Sequence, residues 1–311
     1  VETGGDTEGD ALRTETARLG FYLLHSEGLG MVCDIPHMRE EYPKAWSVSA
    51  DSVLDIQLCP PLDAADYADA DATTSDRLYY YLRDGIYRFR RGVTKTHQIV
   101  LAFESASDQQ PWERAAQIYG GSGVCRAPAN WYAQSRAAGL TVPRTEGEFT
   151  EYDARVDRDF SALEERRKKL GEYGMLNYGD WWGERGYNWG NLEYDTAHVY
   201  AMEWMRDPSK YDLLMRSAEA AVHNRDVDGV HYAENPRDVG TVHAHSMFHT
   251  GGYTITGEQG IAMDGGGFNR GHVWTRGLFD HAVLLGDRRS MEWALVVSDY
   301  LAGPFTVGFS V

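Results

Sequence analysis

Two segments of the sequence concentrate the side chains that could do chemistry. The first covers residues 177–191 and reads Asn-Tyr-Gly-Asp-Trp-Trp-Gly-Glu-Arg-Gly-Tyr-Asn-Trp-Gly-Asn, and the second covers residues 231–272. Both combine aromatic rings with carboxylates, imidazoles and guanidinium groups, and both run into a predicted amphipathic helix. A cleft that stacks on flat rings while polar groups reach the reacting atoms has this composition. The two segments therefore predict a carbohydrate site.

The tryptophans of the first segment predict a surface for sugar rings. Trp181, Trp182 and Trp189 lie so close in sequence that their indoles cannot all face one interior. An indole combines a large apolar face with a polar N–H group, which suits stacking on a sugar. We therefore expect these three residues to bind substrate. The alternative is that they line the core of the helical domain.

Carboxylates in and after the same segment predict a second kind of chemistry. A glycoside hydrolase needs two opposed carboxylates, and the candidates are Asp180, Glu184, Glu193 and Asp195. Glu184 is flanked by glycines and an aromatic ring, where a raised pKa would suit a general acid. The alternative for Glu184 is an ion pair with its neighbour Arg185.

Histidines in the second segment invite a metal interpretation. His243, His245 and His249 are spaced so that neutral imidazoles on a loop could share one zinc ion with a nearby carboxylate. No helical His-Glu-x-x-His pattern and no pair of cysteine ligands accompanies them in the sequence. We therefore expect no cofactor, with a divalent metal at these histidines as the alternative.

The overall charge excludes one class of partner. The 311 residues carry a net charge of -17 at pH 7, whereas nucleic-acid binding requires a basic stripe. No run of about 18 apolar residues occurs, so the sequence predicts no membrane insertion. Cys33, Cys59 and Cys125 show no Cys-x-x-Cys spacing, which favours free thiols over a disulfide framework. A single bridge is the alternative.

Hydrophobic residues alternate in the first third of the chain, which predicts antiparallel strands. Trp46 and Val48 precede a turn-like sequence at 50–52, and Leu54 and Ile56 follow it, as in a β-hairpin. The same signals predict further strands at 21–24, 30–33, 79–82, 86–89 and 93–103. Together they predict an antiparallel β-sandwich or barrel domain over residues 1–110.

From Pro111 the hydrophobic period becomes that of a helix, and a proline suits a first helical position. Further helices are predicted at 152–170, 192–206, 211–224, 270–285 and 290–301. The links 207–209 and 286–287 are short, which predicts antiparallel helical hairpins. The fold class is therefore α+β and multidomain, with an (α/α) toroid over residues 111–311.

The long connections of the helical domain hold the polar clusters. Residues 174–191 and 225–269 each link predicted helices, and we expect both connections to meet on one rim of the toroid. Helix N-termini there would direct peptide N–H groups toward a ligand. A closed toroid of six hairpins needs more helices than the sequence predicts, so the toroid is expected to be open or incomplete in this chain.

Five motifs carry a resemblance to a known family. They are Gly-Asp-Trp-Trp-Gly-Glu-Arg-Gly at 179–186, Trp-Gly-Asn-Leu-Glu-Tyr-Asp at 189–195, His-Thr-Gly-Gly-Tyr at 249–253, Gly-His-Val-Trp at 271–274 and Tyr-Tyr-Tyr-Leu-Arg-Asp-Gly-Ile-Tyr-Arg-Phe at 79–89. The chain resembles large bacterial proteins of the exo-acting rhamnogalacturonan lyase type from about residue 20 to residue 301. The resemblance implies β-rich domains with an (α/α) toroid, within a longer protein.

The resemblance also implies a reaction, the β-elimination of a uronic acid. A Tyr or His base removes the C5 proton, while Arg, Asn or His groups stabilise the charge that develops on the carboxylate. The implied proton-transfer residues are Tyr253, His245, His249 and His272, and the implied carboxylate-binding residues are Asn188, Arg225 and Arg276. The structural alternative is that Tyr253 packs under a glycine turn and that His272 caps its helix.

The sequence thus predicts a polysaccharide lyase, with a glycoside hydrolase and a non-catalytic glycan-binding or structural protein as alternatives. The expected partner is a polysaccharide or oligosaccharide. Such a substrate leads us to expect a secreted or periplasmic protein, although the first six residues lack the charged and apolar regions of a signal peptide.

Overall fold

The computed structural model describes residues 22–26, 29–51, 53–61, 92–105, 124–136, 138–181, 190–242 and 273–303. The chain divides into two compact units, Val1–Leu62 with Thr96–Val124 and Asp63–Lys95 with Cys125–Val311. The described part is mixed α and β, with two small antiparallel sheets in the first unit and helices in the second. The predicted domain boundary at residue 110 stays a prediction.

The first unit contains five described strands in two sheets. They are β1 (Tyr22–Ser26), β2 (Leu29–Asp34), β3 (Ala45–Val48), β4 (Leu54–Gln57) and β5 (Val100–Ser105). One sheet has the order β1-β2-β5 and the other is the hairpin β3-β4, both antiparallel. In the hairpin Trp46 faces Ile56, so the strand pair predicted around residues 50–52 is confirmed.

The strand predicted at 93–103 forms only in its second half. It begins at Val100, and Ala102 is buried between the exposed side chains of Leu101 and Phe103. Upstream, the peptide N–H of Thr94 donates to the Asp226 carbonyl over 2.9 Å, and Gly92 accepts from the His231 N–H. These bonds use the backbone groups that a longer strand would need for pairing. The predicted strands at 79–82 and 86–89 lie outside the described residues.

The second unit is helical. Its described α-helices are α1 (Ala129–Ser135), α2 (Thr150–Leu170), α3 (Asn191–Tyr194), α4 (Thr196–Arg206), α5 (Tyr211–Asp226), α6 (Arg276–Leu285) and α7 (Arg288–Ala302). The helices predicted at 152–170, 211–224 and 290–301 are confirmed within a few residues. The predicted helix at 192–206 is divided at Asp195, and helix α1 was not predicted. The helix predicted from Pro111 lies outside the described residues.

Two helical hairpins pack together in this unit. Helices α4 and α5 are joined through 207–210, and α6 and α7 through 286–287, as the short links predicted. Asp287 caps α7, because its carboxylate accepts the Ser290 N–H over 2.7 Å. The core between the hairpins combines small and large side chains, namely Leu192, Ala197, Ala220, Ala221, Val242, Leu278, Trp293, Ala294 and Val297. Alanines let the helix axes approach closely while Trp293 fills the remaining volume.

The described residues also bear on the predictions about disulfides and membrane insertion. Cys33 is buried, Cys59 and Cys125 are exposed, and all three are free thiols. No described helix has both the length and the apolar composition needed to cross a bilayer.

Helix α2 is attached to α4 by buried charges. Glu203 accepts from Arg144 (3.1 Å), Arg206 (2.8 Å) and the Tyr152 hydroxyl (2.8 Å), and its side chain is 1% exposed. Arg206 also pairs with Asp153 over 2.7 Å. A buried carboxylate is tolerated only with such partners, and its removal leaves buried guanidinium groups without compensation.

We expect Glu203→Gln to lower the free energy of unfolding by about 3–5 kcal/mol, because it removes the charge at the centre of this network. Urea denaturation followed by circular dichroism measures the change. The matched control is Asp159→Asn, which breaks the exposed pair of Asp159 with Arg155 (3.4 Å) and should cost at most about 1 kcal/mol. Equal effects of the two substitutions would contradict a structural role for the Glu203 network.

Candidate functional site

The first turns of α4 and α6 touch at Gly277. A Cβ atom placed on Gly277 would lie 2.5 Å from the Ala197 Cβ, 2.8 Å from the His198 nitrogen and 2.9 Å from Asp195 Oδ1. These separations are shorter than van der Waals contact, so a larger residue would push the two helices apart. The glycine thereby brings together polar side chains from two distant parts of the sequence.

His198 and Asp280 form an imidazole–carboxylate pair across this contact. His198 Nδ1 lies 2.5 Å from Asp280 Oδ2. When Nδ1 carries the proton that it donates to the carboxylate, the lone pair of the ring is on Nε2. The His198 side chain is 24% exposed and that of Asp280 is 10% exposed. The pair therefore has the arrangement of a general base that is oriented by a buried carboxylate.

Asp195 is the third ionisable group of the cluster. It joins α3 to α4 in the left-handed backbone conformation (φ 46°, ψ 51°) that divides the predicted helix, and its side chain is buried. Burial, assisted by the Asp280 carboxylate, raises the pKa of Asp195 to about 6, against the opposing effects of His198 and the peptide N–H of Gly277. A carboxyl group that holds its proton near neutral pH is suited to act as a general acid.

Of the two predicted carboxylate-binding residues that the structure describes, Arg276 lies at this cluster and Arg225 does not. Its Nε is 3.5 Å from Asp280 Oδ1, and 48% of its side chain is exposed. A half-exposed guanidinium can bind an incoming carboxylate in a bidentate manner. These side chains lie near the N-terminal ends of α4 and α6. We therefore call Asp195, His198, Arg276 and Asp280 the N-terminal cluster.

Trp181 stands beside the start of α4. Its Nε1 donates to Thr196 Oγ1 over 3.1 Å, its ring centroid lies 5.6 Å from that of Tyr194, and its indole packs against Gly190. Tyr194 is exposed, as is Trp274 in the segment that enters α6. Aromatic rings therefore lie on the segments that lead into both helices of the N-terminal cluster, and the sugar-binding role of Trp181 stays a prediction.

The loop before Trp181 is fixed by one buried carboxylate. Asp180 Oδ1 accepts from the peptide N–H groups of Trp181 (2.6 Å), Gly190 (3.3 Å) and Asn191 (3.0 Å). Arg216 donates to the carbonyl oxygens of Gly179 (2.7 Å) and Asp180 (3.4 Å). Asp180, a predicted hydrolase carboxylate, thus holds the two ends of the segment 182–189.

A second carboxylate and a histidine face Asp180 in the interior. His223 Nε2 lies 3.3 Å from Asp180 Oδ2 and 3.7 Å from Asp228 Oδ1, and all three side chains are buried. Burial lowers the pKa of His223, but the carboxylates of Asp228 and Asp180 outweigh it and raise that pKa to about 9. This group has the composition of a metal site, and we call it the Asp-His-Asp group.

Arg225 lies away from the N-terminal cluster. It is buried at the end of α5, where it pairs with Asp226 (2.7 Å) and Asp287 (3.0 Å) and donates to Ser290 Oγ. Asp287 lies two residues after the end of α6, whereas Arg276 is the first residue of that helix. The two ends of this ten-residue helix are about 15 Å apart. The structure therefore does not bring the two predicted carboxylate-binding arginines together.

The remaining predicted site residues lie outside the described part of the chain. They are Trp182, Glu184, Asn188, Trp189, His243, His245, His249, Tyr253 and His272. Their predicted roles stay predictions, as does the meeting of the two long connections. Glu193 lies in α3, where its side chain is not described. Neither His198 nor Asp280 was predicted as a site residue, because each is one polar residue among several on an amphipathic helix.

The raised pKa of Asp195 predicts a pH-dependent stability. Because the folded pKa of about 6 exceeds the ordinary value of 3.8, the protonated form stabilises the fold. The contribution of Asp195 to the free energy of unfolding therefore falls as the pH rises from about 4 to about 6 and is constant above that. The amide of the Asp195→Asn variant is neutral at every pH. The free energy of unfolding of this variant, relative to that of the natural protein, should therefore increase by up to about 3 kcal/mol between about pH 4 and about pH 6.

Urea unfolding at several pH values between 4.5 and 7.5 measures this difference. Asp159→Asn, at an exposed carboxylate, should show no comparable dependence on pH. A stability difference for Asp195→Asn that is the same at every pH would contradict the raised pKa.

No protein-family model matches this chain, and no curated protein sequence matches it. The resemblance to the exo-acting rhamnogalacturonan lyases therefore stays a prediction from sequence motifs. The function must be inferred from the chemistry of the residues that α3, α4 and α6 bring together.

Proposed function

We propose that this chain is a polysaccharide lyase that cleaves a uronic-acid-containing glycan by β-elimination. The observation that carries the proposal is the His198–Asp280 pair, which lies beside the half-exposed Arg276 and the carboxyl of Asp195, whose pKa is raised to about 6. A base, an acid and a carboxylate-binding cation are the three groups that this reaction requires.

Substrate binding begins with the charge of the uronate. The Arg276 guanidinium pairs with the sugar carboxylate and lowers the cost of the negative charge that develops there when the C5 proton leaves. Its Nε is 3.5 Å from Asp280, so a bound carboxylate would compete with Asp280 for the same guanidinium. Exposed rings at Tyr194 and Trp274 would support the neighbouring sugars by stacking.

Proton transfer then follows from the tautomer of His198. Its Nε2 removes the C5 proton, and Asp280 stabilises the imidazolium that results. The electrons of the broken C5–H bond form the C4–C5 double bond, and the C4–O4 bond breaks. The departing O4 takes the proton of Asp195, whose pKa of about 6 leaves a fraction of the group protonated near neutral pH.

The proposal also includes the predicted domain architecture and the predicted location of the protein. A β-sandwich or barrel followed by an open or incomplete (α/α) toroid would present the N-terminal cluster with the segments that hold Trp182, Trp189 and Tyr253. The packing of the hairpins α4–α5 and α6–α7 against each other supports the toroid. A polysaccharide substrate supports a secreted or periplasmic location.

A glycoside hydrolase is the second candidate, and the raised pKa of Asp195 favours it. In that reaction Asp195 would be the general acid, and Asp280 would be the second carboxylate. A hydrolase of this kind has no need for an imidazole that is paired with a carboxylate. The His198–Asp280 pair is therefore the reason to prefer the lyase.

Incubation with a panel of uronate-containing and neutral polysaccharides distinguishes these functions. We expect reducing ends together with the ultraviolet absorbance of an unsaturated uronate, because β-elimination creates a double bond conjugated with the carboxylate. Reducing ends without absorbance would identify a hydrolase. Glycan binding without either product would identify a non-catalytic binding protein and would contradict the proposal.

On an active substrate, His198→Gln should lower turnover by roughly 10² to 10⁴, because the base is lost while the helix surface is kept. Asp280→Asn should lower turnover less and shift the pH profile, since it changes the orientation and basicity of the imidazole. The matched control is His37→Gln, at an exposed histidine of the first unit, which should leave turnover unchanged.

Tyr253→Phe separates two assignments of the base. If it retains turnover while His198→Gln loses it, His198 is the base. If His198→Gln retains turnover and Tyr253→Phe loses it, the sequence-predicted tyrosine is the base and the role proposed for His198 is wrong. Thermal melting of each variant shows whether the fold is intact.

A further inference from the structure

We propose that Asp180, His223 and Asp228 bind one first-row divalent metal ion, Zn²⁺ or Mn²⁺. These residues are separate from the N-terminal cluster and from the histidines at 243, 245 and 249 that the sequence suggested for a metal. The inference does not rest on the proposed lyase activity, because it concerns a site that the proposed reaction does not use.

The donor atoms are arranged at the spacing of metal ligands. One ring nitrogen and two carboxylate oxygens lie within 4.8 Å of one another, and each belongs to a buried residue. A tetrahedral ion with bonds of about 2.0–2.2 Å holds its ligands about 3.3–3.6 Å apart. The distances from His223 Nε2 to Asp180 Oδ2 and to Asp228 Oδ1 are 3.3 Å and 3.7 Å.

These distances leave room for an ion between the three donor atoms. A charged N–H donor and a carboxylate oxygen normally approach to about 2.7–2.9 Å. Both separations at His223 exceed that range, although all three residues are buried and none has to reach through solvent. The gap between the donor atoms therefore accommodates an ion at its centre as well as a shared proton, and the metal titration below distinguishes the two.

The surrounding hydrogen bonds orient two of the three ligands. His223 Nδ1 lies 3.2 Å from the Tyr178 carbonyl, which can accept only if Nδ1 carries the proton. When the ring is neutral, as it is in a metal complex, the lone pair is then on Nε2, which faces the carboxylates. Asp180 Oδ1 accepts three peptide N–H groups, so Oδ2 faces His223. Metal-binding histidines and carboxylates are commonly fixed in this way by a second hydrogen bond.

The charge of the group favours a divalent ion. With His223 protonated, the two aspartates and the imidazolium sum to one negative charge, and a buried net charge is costly. With a neutral imidazole and a divalent cation the three residues and the ion sum to zero. The nitrogen donor favours Zn²⁺ over Ca²⁺ and Mg²⁺, and the two carboxylates also suit Mn²⁺.

Metal uptake by the chelator-treated natural protein tests the proposal directly. We expect isothermal titration calorimetry to show one Zn²⁺ or one Mn²⁺ per chain, and the melting temperature to rise with that ion. Ca²⁺ should bind much more weakly. If neither Zn²⁺ nor Mn²⁺ binds, His223 is held between the aspartates by a proton and the proposal is wrong. This measurement needs no variant and so does not depend on the folding of one.

Three variants locate the ion. Asp228→Asn should lower the association constant for the metal by more than about 100-fold, because Asp228 binds the ion directly and does not merely hydrogen-bond to a ligand. Asp159→Asn, at an exposed carboxylate, should leave it unchanged. His245→Gln should also leave it unchanged. Loss of binding in His245→Gln with full binding in Asp228→Asn would place the ion at the loop histidines and would overturn the proposal.

Discussion

The close approach of α4 and α6 at Gly277 determines which ionisable groups meet in the helical unit. Because the glycine has no side chain, the first turn of α6 lies directly against Asp195, Ala197 and the peptide nitrogen of His198. The Asp280 carboxylate thereby reaches the His198 ring, and its negative charge adds to burial in raising the pKa of Asp195. The proposed base and acid and the Arg276 guanidinium thus depend on one backbone contact rather than on three separate adjustments.

Buried charges in the helical unit form ion pairs between neighbouring helices. Glu203 joins α2 to α4, and Arg225 joins α5 to the link between α6 and α7. Each has several partners, which is the condition under which a buried charge is tolerated. The N-terminal cluster differs, because His198 and Arg276 are partly exposed, so their interactions can be exchanged for those of a ligand.

Local patterns predicted the local elements, and tertiary contacts determined the rest. The β3-β4 hairpin and helices α2, α5 and α7 follow from hydrophobic period and turn residues, which act over a few positions. His198 and Asp280 are 82 residues apart, so nothing in either neighbourhood indicates the pair. The dense segments suggested Arg225 as a ligand-binding residue, but its burial beside Asp226 and Asp287 depends on how α5 meets α7.

The Asp180 carboxylate closes the chain on either side of residues 182–189, since Trp181, Gly190 and Asn191 donate to the same oxygen and the Gly190 N–H also donates to the Trp181 carbonyl. The frame on which α4 begins is thus completed outside that interval. Insertions and replacements between Trp181 and Gly190 need not disturb it. Changes of sequence between Trp181 and Gly190 could therefore give new ligand recognition while the contacts of Asp180 preserve the start of the helices.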